Sequence, residues 1–234
     1  MASFKPRSTD TPALVCVPWA GSGAAPFRAW TPAFGQNAGV YGVRLPGRES
    51  RIEETFLRDV DAMVAGIVDD VLDLGPRPIV LFGLCSGALL AYEAARVLGS
   101  RVSHLFVASQ LPPIDAARVA AEELESREAL AERYLTAEAA ADPEMAELLL
   151  EVLEADIGAI SGYHYTPGGL EIPITVFRGS DDHEIGADLL GGWTAESTGR
   201  VAVREISGAN HLFSGASWPE LAAEISAELG LAAN

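Results

Sequence analysis

The sequence has 234 residues, of which 49% are hydrophobic, so the chain can bury a substantial core within a single domain. Its 33 acidic against 16 basic side chains give a formal net charge of -17, which argues against nucleic acid and anionic membrane surfaces as partners. No apolar run approaches the roughly 20 residues of a membrane helix, and residues 1–10 are polar without a hydrophobic signal segment, so we expect a cytoplasmic protein.

Strand-like and helix-like segments alternate along the chain, a pattern typical of an α/β fold with a mostly parallel sheet and helices on both faces. The predicted strands cover residues 13–18, 40–44, 79–82, 104–108, 174–177 and 201–206. Pro26 suits the first turn of a helix running toward Phe34. Apolar residues at helical spacing predict further helices over 57–74 and 218–229.

Residues 114–163 break this alternation, because they are rich in Ala, Glu and Leu and contain no strand pattern. Two helical patterns are separated near Asp142-Pro143. Since the segment stands between two sheet strands, we interpret it as a helical lid within one domain that spans 1–234. An ordinary surface hairpin of helices is the alternative.

The strand at residues 79–82 leads into Gly83-Leu84-Cys85-Ser86-Gly87 and then into a helical stretch. A sharp strand-to-helix turn brings backbone segments together, and glycines on both sides of the central residue remove side chains that would collide. The turn exposes the central side chain, and the start of the following helix favours a thiolate. We therefore predict that Cys85 is a nucleophile, against the alternative of a buried thiol.

Cys16 is the only other cysteine of the chain, and it lies in an apolar strand pattern. We interpret it as a core residue. A disulfide framework is not expected, which agrees with a reducing compartment.

A cysteine nucleophile needs a base within hydrogen-bond reach and an acid that orients the base. Among four histidines, His211 is the strongest candidate, because it lies among small residues in a loop directly after a predicted strand. Gly179 and the next residues form a G-x-x-D turn after another strand, which favours Asp182 over Asp181 as the acid. A solvated histidine and a helix-capping aspartate are the alternatives.

The order Cys85, Asp182, His211 along the chain is the order of the α/β-hydrolase fold. Acyl transfer by such a triad also needs N–H donors for the oxyanion. We predict the N–H of Ser86 and, from the loop after the first strand, that of Ala20. The run Gly21-Ser22-Gly23 lets this loop approach closely, although a plain glycine-rich connection would look the same.

These motifs follow one another in an order that resembles a known family, the type II thioesterases of polyketide and nonribosomal peptide synthesis. The resemblance covers about residues 13–229 and rests on five segments: residues 17–23, 45–48, 83–87 and 179–182, and His211. Trp19 and Cys85 depart from the family pattern, which commonly has histidine and serine at these positions. A cysteine introduced in place of serine to trap an acyl-enzyme would give the same sequence.

The resemblance implies an α/β-hydrolase fold with a helical lid. It also implies a substrate, an acyl group held as a thioester on the phosphopantetheine arm of an acyl or peptidyl carrier protein. The substrate thus carries the phosphopantetheine, and we expect no cofactor or metal in the protein itself, which we expect to be a monomer.

Attack by Cys85 on an acyl thioester makes a second thioester of similar energy, so the acyl-enzyme stays reactive. Hydrolysis is the first interpretation. The second is an acyltransferase or cyclase that passes the acyl group to an amine or hydroxyl. A small-lactone hydrolase that resembles dienelactone hydrolase and a binding module without activity are the remaining alternatives.

Three arginines, Arg44, Arg48 and Arg51, cluster near the end of the second predicted strand, at the sheet edge where ligands of α/β proteins bind. We assign Arg44 and Arg48, together with Trp19, as candidate contacts to the substrate or carrier. A local basic patch would be needed, because carrier proteins are typically acidic and the bulk charge of this chain would oppose docking. Structural salt bridges to Glu49, Glu53 and Glu54 are the equal alternative for the arginines.

Overall fold

The computed structural model describes residues 1–4, 11–120, 126–135 and 141–231. These residues form one seven-stranded sheet in the order β1-β3-β2-β4-β5-β6-β7, in which β1 alone runs antiparallel to its neighbour. The strands are β1 (Ala2–Phe4), β2 (Ala13–Val17), β3 (Gly39–Gly42), β4 (Ile79–Leu84), β5 (Val102–Ala108), β6 (Ile174–Gly179) and β7 (Val201–Ile206). The α/β class and the mostly parallel sheet are confirmed.

Seven α-helices occur within the described residues: α1 (Thr31–Phe34), α2 (Val60–Leu72), α3 (Ser86–Leu98), α4 (Pro113–Ala120), α5 (Arg127–Tyr134), α6 (Pro143–Ser161) and α7 (Ser217–Glu228). Side chains cap two of the longer ones at the N-terminus. Asp59 accepts the Ala62 N–H at 2.8 Å, and Asp142 accepts the N–H groups of Glu144 and Met145. No helix of the described chain has the length and apolarity to cross a bilayer.

Side chains alternate between two cores, one on each face of the sheet, because successive residues of a strand point in opposite directions. On one face, Val15 and Leu81 pack with α2 and α3. On the other, Leu14, Cys16 and Phe82 pack with the 3-10 helix Ala25–Trp30, with α1 and with α7. Burial raises the pKa of the Cys16 thiol well above its usual value, as expected for a core residue.

The three helices α4, α5 and α6 stand between β5 and β6, where the helical lid is predicted. Leu130, Leu150 and Leu153 form a small apolar cluster that joins α5 to α6. Ala20, in the loop after β2, packs against this cluster. The helices α5 and α6 are therefore in contact with the loop that is expected to supply an oxyanion donor.

Two features differ from the sequence expectations. The strand β1 escaped prediction, because three residues are too few to show a period, and it is held by antiparallel pairing with β3. The helix predicted from Pro26 toward Phe34 is a 3-10 helix, Ala25–Trp30, followed by the single turn α1.

Candidate active site

Cys85 is the single residue between β4 and α3, and its backbone has φ of 53° and ψ of −129°. A side chain rarely adopts such a positive φ, so the packing around the turn must hold it there. A Cβ atom on Gly83 would lie 2.3 Å from the carbonyl oxygen of Gly87, and one on Gly87 would lie 2.3 Å from that of Pro18. Close backbone contact therefore requires glycine at both positions, as the sequence pattern predicts.

The contact between Gly87 and Pro18 also places the loop after β2 beside the start of α3. Cys85 donates its own N–H to Ala108 O at 2.9 Å, which fixes the elbow at the carboxyl edge of the neighbouring strand β5. The first N–H groups of an α-helix have no partner within the helix. The N–H of Ser86, the first residue of α3, is therefore available as a donor.

Asp182 and His211 meet at the same edge of the sheet. The His211 Nδ1 atom lies 3.1 Å from Asp182 Oδ2 and 3.2 Å from Oδ1. The Asp182 side chain is fully buried, and its Oδ1 also accepts the N–H groups of Glu184 and Ile185. Asp182 thus holds the imidazole and closes the turn that follows it. It caps no helix, because the next helix, the 3-10 helix Ala187–Glu196, has Gly186 at its N-terminus. Asp181 is exposed.

Backbone contact fixes the acid loop against the histidine loop. A Cβ atom on Gly179 would lie 2.1 Å from Ala209 O, and the Asp181 N–H donates to the same oxygen at 2.9 Å. The Ser180 hydroxyl oxygen accepts the N–H of Gly208 at 2.7 Å. The φ of Gly179 is not positive, so this turn requires glycine for the close approach of the two backbones and not for an unusual backbone conformation.

The imidazole of His211 carries a raised pKa. Burial alone would lower it, but a hydrogen bond with Cys85 and the negative charge on its sulfur outweigh burial, with smaller contributions from the carboxylates of Glu184 and Asp182. Together they raise the pKa of His211 to about 9. The imidazolium is therefore the stable form of His211 at neutral pH.

The three candidate binding residues have partners within the chain. Trp19 packs edge-on against Trp218 of α7, with 6.0 Å between ring centroids. Arg44 donates to Glu49 at 2.6 Å. Arg48 is only 6% exposed and is paired with Asp156 of α6. The salt-bridge alternative to Glu49 is therefore confirmed for Arg44. The partner of Arg48 is none of the three glutamates expected from the sequence, and Arg48 has almost no surface to offer a carrier.

Sequence reasoning did not identify Asp156. It lies on the apolar face of α6, one turn after the buried residues Val152 and Leu153, and is itself 4% exposed. An acidic residue within a stripe of apolar residues at helical spacing was the available signal.

A pocket of about 290 Å³ opens beside His211. It is lined by Tyr134 of α5 and by residues of the acid and histidine loops, among them Glu184 and Leu212. Within the described residues, no three His, Cys, Asp or Glu side chains are grouped as metal ligands would be.

The sequence of this chain is similar to those of a known protein family. Residues 12–229 match the family described as thioesterase domain. The gramicidin S biosynthesis protein GrsT of Aneurinibacillus migulanus is 30% identical over 215 residues, which cover 86% of this chain and 82% of GrsT. The AMB antimetabolite synthetase AmbE of Pseudomonas aeruginosa is 34% identical over 209 residues, and the match spans 85% of this chain but only 10% of AmbE.

Solved structures agree with the sequence relatives. The RedJ thioesterase from the prodiginine biosynthetic pathway of Streptomyces coelicolor is 29% identical and superposes with a TM-score of 0.84. The superposition covers 97% of this chain and 90% of RedJ. The α/β-hydrolase fold predicted from the order of the motifs is confirmed.

The close contact at Gly179 predicts a penalty for any side chain there. We expect Gly179→Ala to lower the free energy of unfolding by about 1–3 kcal/mol, as overpacking does, and to reduce activity, because the backbones that carry Asp182 and His211 must separate. Gly66→Ala in α2 is the matched control, since its Cβ meets nothing within 4 Å, and it should stabilise the protein slightly. Chemical denaturation measures both; equal stability of the two variants would contradict the packing argument.

The raised pKa of His211 predicts its titration. Its ring should stay protonated up to a midpoint near pH 9 and become neutral above it, as followed by the ring proton shifts in NMR spectra. The Cys85→Ser variant loses the negative charge of the sulfur and its hydrogen bond with His211, so the titration midpoint of His211 should fall. His104 is the internal control, because burial lowers its pKa to about 4 and Cys85 is not among the groups that shift this pKa. An unchanged midpoint for His211 in Cys85→Ser would contradict the pairing.

Proposed function

We propose that this chain, which belongs to the thioesterase domain family, removes acyl groups from carrier proteins of polyketide or nonribosomal peptide synthesis through a Cys85 acyl-enzyme. The chain is a thioester hydrolase of the α/β-hydrolase superfamily. The observation that carries the assignment of residues is the contact of His211 with the buried carboxylate of Asp182, at the carboxyl edge of the sheet where the elbow holds Cys85.

The residues support a two-step reaction. The Cys85 thiolate attacks the thioester carbonyl, and the oxyanion that forms accepts hydrogen bonds from the N–H groups of Ser86 and Ala20. Collapse breaks the bond to the pantetheine sulfur, which leaves as a thiol with the proton of His211. A water molecule then gives its proton to His211 and attacks the acyl-Cys85 carbonyl, and collapse releases the acid and the Cys85 thiolate. Asp182 orients the imidazole throughout.

The relatives support the substrate class that we propose. GrsT is a gramicidin S biosynthesis protein, and RedJ is a thioesterase of a prodiginine pathway. We extend this setting to the present chain, with an acyl group on a phosphopantetheine arm as substrate and an acyl or peptidyl carrier protein as partner. These relatives favour neither a lactone hydrolase nor a dedicated acyltransferase.

The test is a time course with an acyl-pantetheine thioester and an acyl-carrier protein, followed by intact mass of the protein and analysis of products. We expect a transient acyl adduct on Cys85 and release of the free acid. Cys85→Ala should form no adduct, and His211→Ala should lose about 100- to 10,000-fold in rate, the usual contribution of a general acid and base. Cys16→Ala is the matched control, because it removes the other thiol, and it should still form the adduct.

Other products would change the assignment. An amide, ester or lactone in place of the acid would indicate an acyltransferase or cyclase. Turnover of a small lactone without turnover of thioesters would indicate a lactone hydrolase. Absence of both adduct and turnover over a range of acyl lengths would contradict thioester chemistry altogether.

A further inference from the structure

A buried ion pair connects the lid to the loop after β2. Arg48 binds Asp156 of α6 with two hydrogen bonds, Nη1 to Oδ2 at 2.6 Å and Nη2 to Oδ1 at 2.7 Å. The two side chains are 7% and 6% exposed. Asp156 Oδ2 also accepts the N–H of Gly21 at 2.8 Å, and Arg48 Nη1 donates to Ser22 O at 3.0 Å. We call this arrangement the Arg48–Asp156 clamp.

The clamp holds the turn that contains Ala20. The Ser22 N–H donates to Trp19 O at 3.0 Å, and Gly21, the third residue of this four-residue turn, has φ of 77°, as a type II turn requires. Ala20 therefore lies between two fixed peptide groups. The Trp19 carbonyl belongs to the same planar peptide group as the Ala20 N–H, so the bond to Ser22 fixes the direction of that N–H. The next peptide group is fixed through Gly21 by Asp156.

Stability alone does not account for the clamp. Removing two charges from water costs several kcal/mol per ion, and replacing a buried ion pair by apolar residues of similar volume is often neutral or stabilising. The ion pair supplies two groups that an apolar pair would lack. Asp156 is a charged acceptor for the Gly21 N–H, and Arg48 is a donor for the Ser22 carbonyl of the same turn. The chemistry of the clamp is directed at the backbone of this loop.

We propose that Asp156, held in place by Arg48, is a positioning residue for the oxyanion donor Ala20, so that the lid helix α6 sets the geometry of the oxyanion loop. This inference rests on the proposed function, because it concerns the donor that stabilises the oxyanion during thioester attack. It also follows that moving α6 away from the loop releases the Gly21 N–H. The oxyanion loop then has its reactive geometry only while this helix of the lid is in place.

The test is the double variant Arg48→Met/Asp156→Leu, which removes the clamp and fills its volume with apolar side chains. Two reactions of the same sulfur are compared in it. Alkylation of Cys85 by iodoacetamide develops no oxyanion, so its rate should stay within about twofold of the wild-type rate. Acylation by an acyl-pantetheine thioester does develop one, so kcat should fall by tenfold or more, toward the roughly 100- to 1,000-fold loss seen when an oxyanion donor is removed, with KM little changed.

Two further variants accompany the double variant. Asp156→Asn keeps a side-chain oxygen for the Gly21 N–H, and we expect it to lose less of kcat than the double variant; it also serves if the double variant does not fold. Arg204→Met/Glu228→Leu is the matched control, since it replaces an ion pair between β7 and α7 by the same residue types. Its kcat should equal that of the wild type.

The outcomes separate the clamp from the proposed function. A wild-type protein without thioesterase activity would contradict both. An active wild type with an equally active double variant would contradict the clamp alone. A parallel fall of alkylation and acylation would also overturn the clamp, since a merely structural role predicts that both reactions change together. An Asp156→Asn variant that loses as much kcat as the double variant would overturn it too, because the retained oxygen would then have no effect.

Discussion

Backbone contact at the carboxyl edge of the sheet is the constraint on which this site depends. Gly87 lies against Pro18, which joins the elbow to the loop after β2, and Gly179 lies against Ala209, which joins the acid loop to the histidine loop. Each contact leaves no room for a Cβ atom. Cys85 itself is held at a positive φ by this packing, so the position of the sulfur is set by the fold rather than by the mobility of a loop.

Buried charge is the second organising feature, and each buried carboxylate at the site has an assigned set of donors. Asp182 binds the ring of His211 and two backbone N–H groups. Asp156 binds the Arg48 guanidinium and one backbone N–H group, that of Gly21. Such carboxylates are tolerated in the interior because their oxygens are satisfied. In the mechanism that we propose, the first orients the base and the second orients the loop of the oxyanion donor, so the two tasks belong to separate carboxylates.

The sheet, the elbow and the acid–base pair could be predicted because each is encoded locally. Alternating apolar segments indicate the strands, and Gly83, Gly87 and Gly179 mark close approaches within a few residues of the side chains that they serve. The Arg48–Asp156 clamp could not be predicted, because its partners are 108 residues apart and no local pattern pairs them. Arg48 belongs to a cluster in sequence that suggested a binding patch, whereas tertiary packing directs it to Asp156. Arg44 pairs with Glu49, five residues away, which is one of the salt bridges expected from the sequence.

In the mechanism that we propose, water, rather than another acceptor, takes the acyl group from Cys85. A single-turnover reaction with an acyl-pantetheine thioester in water enriched in oxygen-18, with quenched samples analysed by intact mass, distinguishes water from other acceptors. We expect an acyl adduct on Cys85 to rise and then decay, and the released acid to carry one heavy oxygen. Acid that appears without an adduct, or an adduct that decays only when an amine or alcohol is added, would contradict this mechanism.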